Sequence, residues 1–207
     1  MQPQTRQIAT AFERLALFWR ASQWLAAKDH GLNPSQGDVL QRISRQPARS
    51  TDLAQHLGVT RASLSDTVSA LVAKGLAERR PDPEDARARR VVATGEGRAL
   101  AAFLPEAPEA LEAAIAGLRD TDRGALLRSL SLIIRSLQEA GAIPVQQMCL
   151  TCRHFRPHVH ADPARPHHCG FVDAAFGDGG LRLDCADHET ATEEEVARNR
   201  ARLAAVG

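Results

Sequence analysis

A chain of 207 residues is long enough for one domain with an appendage or for two small domains, and its 43% hydrophobic and 25% charged residues are ordinary for a soluble globular protein. The net charge of +1 does not by itself point to a nucleic-acid partner. No signal or membrane segment is expected, because Arg14, Arg20 and Gln23 interrupt the apolar N-terminal run and no cleavage-like boundary follows. A cytoplasmic, reducing setting is therefore expected, in which four cysteines are poorly explained as disulfides.

Residues 5–30 carry Ile8, Phe12, Leu15 and Trp19 at helical spacing, and Phe18 and Leu25 widen the stripe beyond one face. A helix that apolar buries against something large, and a second subunit is the favoured cover. A short helix follows from Pro34 to Ile43, with Val39, Leu40 and Ile43 inward. Residues 50–58 form another, capped by Ser50 or Thr51, with Leu53 and Leu57 apolar and Gly58 permitting a tight turn.

The next helix has Thr60 as its cap, Leu64, Val68, Leu71 and Val72 inward, and Gly75 as its stop. Its other face holds Ala62, Ser63, Ser65, Asp66 and Ser69, short enough to let a helix approach base edges. Two short strands, 76–79 and 90–93, flank a Pro- and Asp-rich turn, and Arg87, Arg89 and Arg90 line the tip and second strand. A charged hairpin usually solvates itself. Beside a small-faced helix, it is instead what a winged helix-turn-helix uses to grip the backbone flanking a groove. The charge distribution agrees: residues 149–207 hold seven arginines against nine carboxylates, so the remainder is mildly basic.

Residues 32–100 resemble the MarR family of bacterial transcription regulators, on LAQHLGV (53–59), LVAKGLAERR (71–80), DPEDAR (82–87) and VVATGEGR (91–98). The resemblance implies a mainly α fold with a small β wing and long terminal helices that interlock two subunits. It also implies a homodimer, most simply a repressor, on a pseudo-palindromic operator in double-stranded DNA, with any small-molecule effector unspecified. Arg61, Ser63, Ser65, Asp66 and Ser69 on the helix, with Asp85, Arg87 and Arg89 on the wing, are the expected DNA-facing residues. One position departs: the family often has a basic residue where this chain has Asp66. A carboxylate repels phosphates but accepts from cytosine N4, so base preference is not carried over from relatives.

Residues 95–140 are rich in alanine and leucine, with breaks at Pro105–Pro108 and near Asp120–Asp122, and give two helices, roughly 95–118 and 121–140. Leu126, Leu127, Leu130, Ile133, Ile134 and Leu137 make the second strongly amphipathic and a candidate dimer element. Residues 141–147 read as a linker, dividing the chain into a winged-helix and dimerisation domain (1–145) and a Cys/His-rich module (146–207).

All four cysteines and six of the eight histidines lie between 149 and 188. The spacing Cys149-x2-Cys152, then Cys169 and Cys185, suits a four-thiolate metal site, with His168 and His188 as substitute ligands or outer donors. The segment has few core-forming residues, namely Phe155, Val159, Phe171, Val172, Phe176, Leu181 and Leu183, and so calls for a staple. Zinc is the leading cofactor and an iron–sulfur cluster its rival, since Cys169 and Cys185 stand singly where a zinc ribbon shows a second knuckle. A redox dithiol lacks the βαβ context it needs. Thr192 caps a final exposed helix over 190–204. Three roles remain open for the module: structural staple, sensor, or protein-interaction scaffold. An enzyme is not indicated, because no general base or substrate pocket is identifiable at a known spacing.

Overall fold

The structure, a computed structural model, describes residues 3–85, 87–105 and 107–205. It divides into two compact units, Met1–Ala113 and Ala114–Gly207. The first contains α1 (Pro3–Lys28), α2 (Pro34–Arg45), β1 (Ala48–Arg49), α3 (Ser50–Leu57), α4 (Arg61–Ala73), β2 (Ala77–Pro81), β3 (Arg89–Ala93) and α5 (Gly95–Ala101). Helix α6 (Glu109–Ala116) crosses the boundary between them. The second unit holds α7 (Asp120–Glu139), β4 (Phe155–Arg156), β5 (His167–Cys169), β6 (Ala174–Phe176) and α8 (Glu193–Ala204).

The winged unit is built around α2. Asn33 and Gln36 form a reciprocal capping box, and Pro34 presets φ for the first turn. Val39, Leu40 and Ile43 then pack with Leu53 of α3 and Leu64, Val68 and Leu71 of α4. Each such burial removes a side chain from water for about 1.5–3 kcal/mol. Gly58 and Gly75 sit at φ +64° and +72°, the left-handed conformation that ends α3 and α4 cleanly. The expected cap of α3 does not form. Ser50 is already helical, Arg49 occupies the cap position without a side-chain bond, and the Thr51 hydroxyl donates to Asp52 instead.

Strand β3 lies between β1 and β2, antiparallel to both, with Ala48 opposite Val91 and Arg80 opposite Arg90. The two-residue β1 was not expected from sequence. The single helix expected over 95–118 is two: α5 ends at Ala101 and α6 begins at Glu109. Pro105 and Pro108 lie between them, and proline removes an amide donor and clashes with the preceding turn.

In the second unit, α7 and α8 supply apolar surface that the cysteine-rich segment lacks. Met148, Leu150, Phe155, Leu181 and Leu203 are buried together, with Leu127, Leu132 and Ile134 of α7 packed against them. This corrects two expectations. The segment is not short of a core, and α8 is not an exposed helix: Val196, Asn199 and Leu203 are buried, and Asn199 Nδ2 donates to the Phe155 carbonyl at 2.8 Å. Thr192 does cap α8, in a capping box with Glu195. Among the described residues, no helix is long and apolar enough to cross a membrane.

Candidate nucleic-acid interface and cysteine cavity

Thr60 Oγ1 accepts the Ser63 amide at 3.1 Å, which fixes the entry of α4. Leu64, Val68 and Leu71 are turned into the core, leaving Arg61, Ala62, Ser63, Ser65, Asp66 and Ser69 exposed on the other side. The stripe expected to face DNA is thus solvent-facing along most of the helix. Ser69 is the exception in being engaged, since Arg79 of β2 donates to its hydroxyl at 3.0 Å.

At the wing tip, Asp85 Oδ1 accepts the backbone amide of Arg87 at 3.0 Å. Asp85 therefore shapes the turn through the backbone, and the Arg87 and Arg89 side chains project into solvent. Arg90 behaves differently from its neighbours. Its Nε donates to Asp82 Oδ2 at 2.8 Å, and Arg49 Nε reaches the same oxygen at 2.6 Å. The other Asp82 oxygen takes the Glu84 amide at 2.9 Å. The Asp82 side chain has no solvent exposure, and these bonds, Arg49 first, hold its carboxyl well below the usual carboxylate range. Asp82 ties the start of α3 to the root of the wing, and it was missed because its first partner lies thirty-three residues away.

The second unit brings the four cysteines to one cavity of about 260 Å³. Cys149 opens a 3-10 turn whose end, Cys152, donates its amide to the Cys149 carbonyl. Cys169 ends β5, which is paired on both sides, and Cys185 is held by its amide to the Gln147 carbonyl at 2.8 Å. Phe155, Phe171, Val172 and Phe176 supply apolar wall, and His154, Arg182 and Asp187 complete the lining. All four thiols are free. Burial pushes the Cys149 thiol up; the Arg182 amide donating to its Sγ at 3.2 Å opposes this, and the three other cysteines add to it.

His168 and His188 do not line this cavity. His168 lies between Asp173 and His160, at 3.2 Å from each, and His188 Nε2 is 3.0 Å from the Thr151 hydroxyl. The histidine that does line it, His154, has Nε2 3.0 Å from Glu189. His167 is buried, with Nδ1 accepting the His158 amide at 3.3 Å and Nε2 2.8 Å from Asp178. Asp187 and His154 were missed in the sequence because nothing in their spacing distinguishes them from solvated neighbours. Among the described residues, no three His, Cys, Asp or Glu side chains are placed to hold a metal ion together as they stand.

The first unit is a winged helix-turn-helix. The model of the MarR family matches residues 30–88. The chain is similar to a MarR transcriptional regulator from Methanosarcina mazei Go1, at 20% identity over 65% of this chain and 99% of that one, with a TM-score of 0.55. It is also similar to the transcriptional regulator BldR from Sulfolobus solfataricus (24% identity, 66% of this chain and 99% of that one, TM-score 0.52). A third likeness is to S. aureus MepR in complex with DNA (18% identity, 62% and 97%, TM-score 0.54). At these identities the likeness establishes the fold. No curated protein matches the chain. Residues 30–88, which match the MarR model, thus lie within a winged-helix fold, and the cysteine-bearing segment lies outside the family match.

Proposed function

We propose that the protein is a non-enzymatic transcription regulator that binds double-stranded DNA as a homodimer and represses from a pseudo-palindromic operator, with a metal site in its cysteine-rich tail. The observation that carries the reading is the exposed small and polar face of α4 beside a wing whose Arg87 and Arg89 are exposed and whose root is fixed by Asp82. That pairing supplies short side chains for base edges and arginines for phosphates or a narrow minor groove. The MarR match over 30–88 and the MepR–DNA structure support the same mode of binding.

Dimerisation is supported by α1, where Ile8, Phe12, Leu15, Leu17, Phe18, Trp24 and Leu25 are all exposed and Ala27 is the buried residue. So large an apolar face on one helix marks an association surface. Leu126, Ile133 and Leu137 of α7 are exposed as well. Leu127 and Ile134, by contrast, are used within the second unit and leave the dimer face.

Fluorescence anisotropy against duplexes from the chain's own upstream region tests the reading across a salt series. Wild type is expected to bind those duplexes more tightly than an unrelated duplex, with a steep salt slope, and Arg87→Ala to lower that slope by about one. Equal affinity for related and unrelated duplexes, with no salt dependence, overturns it.

A further inference from the structure

We propose that the four-cysteine cavity holds a polynuclear iron–sulfur cluster and not a single zinc ion. The inference deepens the metal site assigned to the tail above and rests on that reading.

The first ground is size. A tetrahedral zinc site has Zn–S bonds of about 2.3 Å, which brings four thiolates into mutual van der Waals contact and leaves no void among them. Here the thiols stand on the walls of a cavity of about 260 Å³, room enough for several water molecules. A cluster core, with its own irons and bridging sulfides, fills space of that kind and presents separate irons to separate walls.

The second ground is that the cysteines are anchored by backbone bonds of their own. Cys169 is fixed in β5 between β4 and β6, opposite Phe155 on one side and Ala174 on the other. The Cys149 amide donates to the Arg182 carbonyl at 2.9 Å, and the Cys185 amide to Gln147. Among the described residues, no three His, Cys, Asp or Glu side chains converge on a common point, as a single ion requires.

The third ground is the lining. The Arg182 amide bonds the Cys149 sulfur at 3.2 Å, the type of contact that stabilises a sulfur-ligated cluster and tunes its potential. Phe155, Phe171 and Phe176 give the core an apolar wall, while Phe171 is half exposed, so the site opens to solvent on one side. His168 and His188 do not line the cavity, and the four thiols that do are its sulfur donors, with His154 and Asp187 beside them. On binding, each thiol loses its proton to solvent and forms one sulfur–iron bond, with no change of oxidation state required.

The test uses the full chain produced with iron in excess, purified without oxygen, and assayed for iron, zinc and acid-labile sulfide, with visible absorption before and after dithionite. The expected result is at least about two irons per chain with matching sulfide, and a broad visible band that bleaches on reduction. Cys169→Ser and Cys185→Ser are each expected to lose most of the band, with circular dichroism checking that the chain remains folded. One tightly held zinc per chain without sulfide overturns the cluster but leaves a metal site standing. Neither metal at stoichiometric level, in folded protein with four titratable thiols, overturns both.

Discussion

At Asp82, a carboxylate with no solvent exposure joins Arg49, Arg90 and the Glu84 amide. Its proton affinity is depressed, so the sign of its contribution follows: the stabilisation is complete above the ordinary aspartate range near pH 4 and is lost as pH falls toward the lower folded value. Asp82→Asn is expected to lower the thermal midpoint by several degrees at neutral pH and to remove this part of the acid limb, as read by melting curves between about pH 3 and 7. Identical curves for variant and wild type would show that the wing root is held by other contacts. Arg87 is the opposite case, exposed and shaped only through its backbone. Its removal should cost DNA affinity and leave the melting curve unchanged.

At the scale of elements, α4 divides the two kinds of binding energy. Ser63 and Ser65 face solvent on the helix. Substituting Ser65 by Ala should change the preferred base at one position of each half-site by about 1–3 kcal/mol if it reads an edge, with little effect on unrelated duplexes. Uniform loss across all sequences would assign it to the backbone instead. Helix α1 makes a separate claim. Leu15 is 48% exposed, so Leu15→Asp leaves the fold of one chain intact. It should weaken the dimer at least tenfold, about 1.4 kcal/mol, by sedimentation. A wild-type protein that sediments only at 22.4 kDa would contradict the dimer altogether.

Features legible in the sequence at this scale are those set within a few residues. The Thr60 cap, the left-handed Gly58 and Gly75, and the Thr192–Glu195 box all follow from local chemistry. What was not legible depends on distant partners. Two-residue β1 exists only because β3 lies beside it, and Arg90 turns inward only because Asp82 is buried there. The apolar face of α8 was hidden by its many charges, and it buries Val196 and Leu203 because α7 and the cysteine segment provide somewhere to put them. Four cysteines at those spacings announced a shared site. That they line an open cavity was not visible, because the cavity is made by strand pairing that three-residue strands barely signal.

For the whole molecule, α7 is shared between the tail's core and an exposed apolar edge, and this would give a metal in the proposed site a route to DNA binding. Leu127, Leu132 and Ile134 pack on the tail, and Arg128 lies 3.4 Å from Asp178. Loading or emptying the proposed site would thus act on a helix whose exposed residues belong to the proposed dimer face. Loaded and metal-stripped protein should differ in operator affinity by about 1–3 kcal/mol at one salt concentration. Equal affinities, with both forms dimeric, would make the metal a staple. Sequence-selective DNA binding by a symmetric pair of α4 helices can be measured by selecting the purified 207-residue chain against a random duplex pool and sequencing what it retains. The expected product is an inverted repeat whose half-sites are centred about one or two helical turns apart, at ~34 Å per turn, with enrichment lost in Arg87→Ala and altered in Ser65→Ala. A retained pool no different from the input would contradict it.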